Sequence, residues 1–270
     1  MKVFAIKDAE QNNRIIGYLF YYEKATEFVI ELEESLDEWQ APVLFSGLVK
    51  KEIYTIPKDI CKLWVEERIV PSGRHNIGMI LKNLNTTEYN EGVLLRAGKG
   101  KSAQDQNYLE EIKEVDLPEW VVKRRKSNLT ESFISADNSV VCFLKDGTVR
   151  KADVKELAKD VPKLETIQDN RRLLETVKVD VGGYGIVFND SITVEKRVFM
   201  KRSKKLNVSA GDFYTFAEKN IVNTGEACAM MECSRQNLAY LIKINLLKPI
   251  KTGWKENLFF KGSIDKAAGE

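Results

Sequence analysis

The sequence predicts an α+β protein of several small domains, two small α+β domains followed by a C-terminal domain of helices and a hairpin. Segments rich in β-branched and aromatic residues alternate with segments of helical periodicity through the first two thirds of the chain. The last third is mainly helical. The length of 270 residues suits about two domains or three small ones, and 43% apolar residues can form their cores.

Two basic runs are the expected boundaries between these domains. Residues 123–126 and residues 201–205 consist mostly of Lys and Arg, and each run follows a segment of regular pattern. We therefore expect domains at residues 1–126, 127–205 and 206–270.

The first region opens with three strand-like segments separated by polar breaks. They span residues 3–6, 15–22 and 28–32. Helical periodicity then begins near Pro57, whose fixed φ suits a first helical turn, and continues through Trp64. Three more helices are expected, at residues 77–84, at residues 89–97 and from Pro118 onward.

The middle region is rich in strand signals. Asp146-Gly147 predicts a tight hairpin between residues 140–144 and 149–154. Gly182-Gly183 predicts a second hairpin, between residues 173–181 and 184–188. A short helix near residues 154–160 would cover one face of the sheet.

The charge is unevenly distributed, although the total is only +2. Residues 1–45 carry −5, residues 196–261 carry +8, and everything outside 196–261 carries −6. A basic end on an acidic body is typical of proteins that bind nucleic acid, although solvated helix faces also produce charge runs.

The C-terminal region has the pattern of two helices joined by a tight turn, after a separate helix at residues 210–219. Thr224 can cap the first helix and Ser234 the second, with Glu232-Cys233 as the turn between them. Apolar residues at helical spacing would face inward. They are Ala227, Met230, Met231, Leu238, Leu241 and Ile242.

The exposed residues of this region are of the types that contact DNA. Arg235, Gln236 and Asn237 would read bases from the second helix in the major groove. Tyr240, Lys243 and the lysines of a hairpin at residues 249–260 would hold phosphates. The full expected set is Thr224, Ser234, Arg235, Gln236, Asn237, Tyr240, Lys243, Lys251, Trp254 and Lys255.

Residues 220–266 resemble the winged helix-turn-helix of the MerR and excisionase superfamily. The resemblance rests on four motifs in order: Thr-x-Glu-Ala from Thr224, Cys-Ser-Arg-Gln from Cys233, Leu-Leu-Lys-Pro-Ile from Leu246, and Leu-Phe-Phe from Leu258. It implies sequence-specific binding to double-stranded DNA. The hairpin lacks the usual arginine after its glycine, so lysine would take the backbone role.

Two further resemblances concern the rest of the chain. The motifs Phe-Leu-Lys-Asp-Gly-Thr-Val-Arg from Phe143 and Gly-Gly-Tyr-Gly-Ile-Val-Phe-Asn-Asp from Gly182 carry the first. Through them, residues 133–205 resemble a small bacterial α+β family of unknown function that often lies beside a helix-turn-helix. Residues 14–112 are similar to the N-terminal subdomain of HipA-type toxin kinases, through Gly17-Tyr18-Leu19, Pro71 to Arg74, and Asn90 to Ala103. No kinase core follows, so phosphotransfer is not implied.

No set of residues indicates an enzyme, a cofactor site or a metal site. Gly100-Lys101-Ser102 ends like a phosphate-binding loop, but Leu95 stands where that motif needs glycine. Cys228 and Cys233 lack a second pair of metal ligands, and His75 is the only histidine. We therefore expect no catalytic residues, no cofactor and no metal.

The sequence favours a bacterial DNA-binding protein. We expect it in the cytoplasm, because the sequence contains neither a membrane-spanning apolar run nor a signal-peptide pattern. A transcriptional regulator is the first expectation. The alternatives are an accessory factor of a mobile element, an enzyme, or a protein-interaction module without catalysis. We also expect a homo-oligomer on paired half-sites, and a protein partner for the acidic N-terminal domain.

Overall fold

The computed structural model describes residues 1–253 and 255–269 and is a mixed α+β structure, 38% helical and 25% strand. The described residues form four small sheets, of five, four, three and two strands. The expected α+β class is confirmed.

The first region is built on the five-stranded antiparallel sheet, with strand order β4-β3-β2-β1-β5. Its elements are β1 (Lys2–Asp8), β2 (Arg14–Tyr22), β3 (Glu27–Leu32), α1 (Val43–Val49), β4 (Thr55–Ile56), α2 (Lys58–Glu66), α3 (Ile77–Asn83), α4 (Glu91–Gly98), β5 (Asn107–Ile112) and α5 (Glu119–Lys126). The three strands and four helices expected here are present. Helix α1 and strands β4 and β5 were not expected.

Both faces of this sheet are covered, which explains why its central strands are continuous apolar runs rather than alternating patterns. Phe4 and Ile6 of β1 point into the core that contains buried residues of α1, α2 and α4. Val3 and Ala5 point to the opposite face, where Val121 of α5 packs. The basic residues 123–126 therefore belong to a packed helix.

The middle region contains two antiparallel sheets around one core. Their strand orders are β12-β8-β7-β6 and β11-β10-β9. The elements are β6 (Leu129–Ile134), β7 (Ser139–Leu144), β8 (Val149–Asp153), α6 (Val154–Ala158), α7 (Arg171–Leu174), β9 (Lys178–Val179), β10 (Gly185–Phe188), β11 (Ile192–Glu195), α8 (Lys196–Arg202) and β12 (Lys204–Lys205). The hairpin expected at Asp146-Gly147 joins β7 to β8, and Gly147 has φ +82°.

The second expected hairpin is only partly correct. Leu173 and Leu174 belong to the short helix α7, because Asn170 caps it and Leu174 is buried in the core. Only residues 178–179 pair with β10, whose longer partner is β11. Gly183 still has φ +79°, and a Cβ there would lie 2.2 Å from the Leu129 carbonyl oxygen, so glycine is required at this turn.

The C-terminal region contains α9 (Ala210–Asn220), β13 (Ile221–Asn223), α10 (Thr224–Met230), α11 (Arg235–Lys243), β14 (Leu258–Phe260) and α12 (Lys261–Gly269). Helix α9 rests against the middle region, where the rings of Phe213 and Tyr214 contact Phe143 at centroid distances of 5.3 and 5.9 Å. Phe213 and Phe216 of this helix are both about half exposed.

A buried polar cluster joins the first region to the middle region. Glu31 of β3 is fully buried, and one of its carboxylate oxygens, Oε2, accepts hydrogen bonds from Arg124 at 2.8 Å and from Thr55 at 3.2 Å. The Lys196 ammonium donates to Asn128 Oδ1 at 2.5 Å, and Lys196 is nine-tenths buried. Charged groups of both regions therefore share one desolvated site.

Burial lowers the pKa of Lys196 to about 8 from its ordinary 10.5. Arg124, Lys145 and Arg125 lower it further, whereas Glu31 opposes the shift. Between pH 8 and pH 10.5 the unfolded chain therefore binds a proton at this lysine that the folded chain has lost. Over that range the free energy of unfolding rises with pH because of this group.

We predict that Lys196→Met removes this part of the pH dependence. The difference in unfolding free energy, variant minus wild type, should be largest below pH 8. It should fall by about 2–3 kcal/mol by pH 10.5, since one pKa unit corresponds to about 1.4 kcal/mol. Urea unfolding from pH 7 to pH 10.5 measures it. Exposed Lys163→Met is the matched control and should follow the wild type; parallel curves for Lys196→Met would contradict the prediction.

Candidate nucleic-acid interface

The C-terminal helices surround a small core that is separate from the others. Val222, Ala227, Leu238, Phe259 and Ile264 are buried in it together with Leu247. The expected inward residues Met230, Met231, Leu241 and Ile242 pack against this core while partly exposed. The sequence therefore predicted the apolar side of these helices correctly.

Helix α10 begins with a capping box at Asn223, one residue before the cap expected from the sequence. The Asn223 side chain accepts a hydrogen bond from the Glu226 backbone N–H at 2.9 Å, and the Glu226 carboxylate accepts one from the Asn223 N–H at 2.8 Å. Thr224, the expected cap, is instead the first helical residue. Its hydroxyl oxygen accepts a hydrogen bond from the Asn257 N–H at 2.9 Å and therefore holds the following loop.

The turn between α10 and α11 lies where the sequence predicted it. Glu232 has φ +48°, and the Cys233 N–H donates to the Cys228 carbonyl oxygen at 3.0 Å, which ends α10. Ser234 caps α11, because its hydroxyl accepts the Asn237 N–H at 3.2 Å. Two short helices with a tight turn between them follow directly from these caps.

Helix α11 presents a polar face to solvent. At about 100° per residue, Gln236, Tyr240 and Lys243 lie on one side of the helix, with Arg235 and Asn237 at its edges. All five are exposed, including Tyr240 at 58%. The opposite side carries Leu238, which is buried.

The expected hairpin at residues 249–260 is mostly wrong in its pairing. Leu258–Phe260 pairs with Ile221–Asn223, because this register buries Phe259 beside Val222. Among the described residues, one antiparallel bridge, between Lys251 and Leu258, closes the intervening segment. Residues 252, 253 and 255–257 lie outside helices and strands, and we call them the wing loop.

The wing loop lies beside the start of α11. An Arg235 guanidinium nitrogen is 4.0 Å from a carboxylate oxygen of Glu256, and both side chains are exposed. Lys251 and Lys255 are exposed at its base and on the loop, whereas Trp254 lies outside the described residues. Of the ten expected DNA contacts, nine are therefore described. Thr224 and Ser234 use their hydroxyls within the protein, and Arg235 lies near Glu256 of the wing loop.

Two features of this site were not expected. Asn257 anchors the wing loop, since its backbone bonds Thr224 and its side chain accepts the Gly253 N–H at 3.4 Å. Asn223 is the helix cap, and its spacing of three residues from Glu226 was the available sequence signal.

Much of the positive charge assigned to this end of the chain belongs elsewhere. Lys196 to Lys205 form α8 and β12 of the middle region, where Lys201 and Arg202 pair with Asp160. Residues 221–269 contain seven basic and four acidic side chains, a net charge of +3. The basic character of the candidate interface is real but moderate.

Among the described residues, no helix is long and apolar enough to cross a membrane. The same part of the chain holds no group of three or more His, Cys, Asp or Glu side chains arranged to bind a metal ion.

The comparisons with known proteins give no relative. No protein-family model, no curated protein and no solved structure matches the chain.

We predict that Asn223→Ala destabilises the start of α10 by about 1 kcal/mol, because the helix loses its cap. Hydrogen exchange of the backbone amides at residues 224–231 should become about fivefold faster, which is the rate equivalent of that energy. Asn220→Ala, at the exposed end of α9, is the matched control and should leave these amides unchanged. Equal exchange in both variants would show that Asn223 is not the cap.

Proposed function

We propose that the protein is a sequence-specific DNA-binding protein, a bacterial transcriptional regulator that acts in the cytoplasm. The observation that carries this proposal is the placement of the polar face of α11 beside the lysine-bearing wing loop, with Arg235 next to Glu256. Residues 206–270 would form the winged helix-turn-helix, and residues 1–126 and 127–205 would be two further domains.

The chemistry of binding follows from the exposed groups. Helix α11 would enter the major groove, where Arg235, Gln236 and Asn237 can donate hydrogen bonds to base edges. Tyr240 and Lys243 on the same face would contact phosphates, together with Lys251 at the base of the wing loop and Lys255 on the loop. Arg235 pairs weakly with Glu256, because both are solvent-exposed, so the guanidinium can exchange this carboxylate for a base at little cost.

A single unit of this size reads few base pairs, so the proposal includes a homo-oligomer on paired half-sites. Light scattering of the full chain with and without DNA measures its stoichiometry. The acidic character of residues 1–45, −5 in net charge, opposes DNA contact there and leaves that region to a protein partner.

The role on DNA depends on where the sites lie. Selection of bound fragments from genomic DNA distinguishes the candidates: sites at promoters support a regulator, and sites at recombination ends support an accessory factor of a mobile element.

We predict that binding to a selected fragment depends on salt with a slope of about −4 to −5 in log affinity against log salt, as expected for about five neutralised phosphates. Fluorescence anisotropy titrations between low and moderate salt measure this slope. The double variant Arg235→Ala with Lys255→Ala should bind at least tenfold more weakly and with a shallower slope, because it loses one base contact and one phosphate contact.

The matched control removes two lysines from the first region, Lys24→Ala with Lys113→Ala, both of which are exposed. It should bind like the wild type. Weak, salt-insensitive binding that is equal in the wild type, the double variant and the control would refute the proposal. The C-terminal unit would then be a protein-interaction module.

A further inference from the structure

A cleft of about 680 Å³ lies between the five-stranded sheet and the middle region. Residues 52–59 line one wall, and residues around β11 line the other. Its volume is in the range that holds a small molecule or a short peptide. No part of the proposed DNA interface lines it.

The first wall of the cleft is a free sheet edge. Strand β4 is the last strand of its sheet, so it has a partner on one side only. The Leu32 N–H donates to the Tyr54 carbonyl oxygen at 2.7 Å, which identifies a hydrogen-bonded pair. Because such pairs alternate along an antiparallel ladder, Thr55 directs its backbone N–H and C=O away from β3.

The opposite wall is a second free edge. Strand β11 ends the three-stranded sheet, and the Lys196 N–H donates to the Tyr184 carbonyl oxygen at 2.7 Å. By the same alternation, Thr193 and Glu195 direct their backbone groups away from β10. Both residues line the cleft. Two sheets thus turn unpaired backbone donors and acceptors towards one cavity.

Acidic and basic side chains line the cleft in equal number, and Lys196 is a buried cation among them that pairs with no described carboxylate. Lys196 follows β11 and lines the cleft. Its ammonium donates hydrogen bonds to two neutral oxygens, Asn128 Oδ1 and the Arg124 carbonyl oxygen, and lies 5.2 Å from the centroid of the Tyr184 ring. Among the described residues, no carboxylate oxygen lies within 4.0 Å of it. The other buried or half-buried cations of the cleft, Lys58 and Arg124, each pair with carboxylates.

The charged groups that act most strongly on Lys196 are mostly positive. Arg124, Arg125 and Lys145 act on it with like charge, and Glu31 acts on it with opposite charge. Glu31 is already bound by Arg124 and Thr55. An additional carboxylate at this wall would therefore balance the positive charge of Lys196, which the protein balances incompletely.

We propose that the cleft binds an extended peptide segment bearing a carboxylate, which adds as a strand to the free edge of β11 and directs its acidic group to Lys196. The four residues of β11 span about 13 Å at about 3.3 Å per residue, which accommodates an extended tetrapeptide. The backbone of Thr193 supplies the hydrogen bonds, and Thr55 supports the peptide from the other wall.

The probe is a phage-displayed library of random hexapeptides, selected against the immobilised full-length protein. Peptides with an acidic residue at a fixed position should be enriched. One enriched peptide is then synthesised, and its affinity for the protein variants is measured by fluorescence anisotropy.

The backbone contact is tested by Thr193→Pro. Proline removes the N–H that points into the cleft but none of the hydrogen bonds between β10 and β11, so the strand should still form. Binding should fall at least tenfold. Thr193→Val, which keeps the N–H, is the matched control and should bind like the wild type.

A synthetic peptide N-methylated at alternate residues tests the same contact without altering the protein and should also bind at least tenfold more weakly.

The charge contact is tested by Lys196→Met, which should weaken binding of the acidic peptide at least tenfold and leave its amide analogue unaffected. Lys163→Met, on the exposed rim, is the matched control and should have little effect.

Three results would overturn the proposal. The first is no enrichment over the Thr193→Pro protein. The second is undiminished binding of the N-methylated peptide, which would indicate a site for small carboxylates instead. The third is equal binding of acidic peptide by Lys196→Met and the wild type. None of these outcomes bears on DNA binding, which the genomic selection tests separately.

Discussion

The buried pairing of Glu31 with Arg124 is the interaction on which the arrangement of the first two regions depends. Glu31 is fully buried on β3, next to the edge strand β4 of the five-stranded sheet, and an unpaired carboxylate there would cost several kcal/mol. Arg124 supplies the compensating charge and also donates to the Leu32 carbonyl oxygen at 2.8 Å, which fixes α5 across the sheet. Because α5 leads directly into β6, the same contact sets where the middle region begins. The neighbouring Lys196 is then buried by the packing of both regions, without a carboxylate of its own.

The sequence predicted the elements whose signals are local. Strands β1 to β3 are long apolar runs, and Asp146-Gly147 specifies its turn through backbone conformation alone. Strand β5 lacks a strand-like apolar pattern in the sequence, because Glu110 and Glu111 are exposed at the edge of a sheet, where strands carry polar residues. The helix at Leu173 and Leu174 could not be predicted, because apolar residues in so short a segment fit a strand or a helix equally well.

The candidate DNA-contacting face could be predicted for the same reason, since Ser234 and the spacing of Leu238, Leu241 and Ile242 are features of one helix. The wing could not, because its pairing depends on which strand buries Phe259. Asn223 and Thr224 are both good caps, and only the capping-box partner Glu226 decides between them. The burial of Lys196 has no local signal at all. The sequence pattern places it in the basic C-terminal segment, although it lies in the interior between the first two regions.

Helix α9 gives the C-terminal unit its attachment to the rest of the chain. Phe213 and Tyr214 pack on Phe143 of β7, and the Tyr214 hydroxyl donates to Glu131 of β6 at 2.6 Å. Further along the same helix, Phe216 contacts Phe260 of β14 at a centroid distance of 6.2 Å. The aromatic contacts are half exposed, so they hold the unit with little buried area compared with the cores on either side. We expect a C-terminal unit attached in this way to reorient at lower cost than the cleft, which is formed by sheets that share a buried charged cluster.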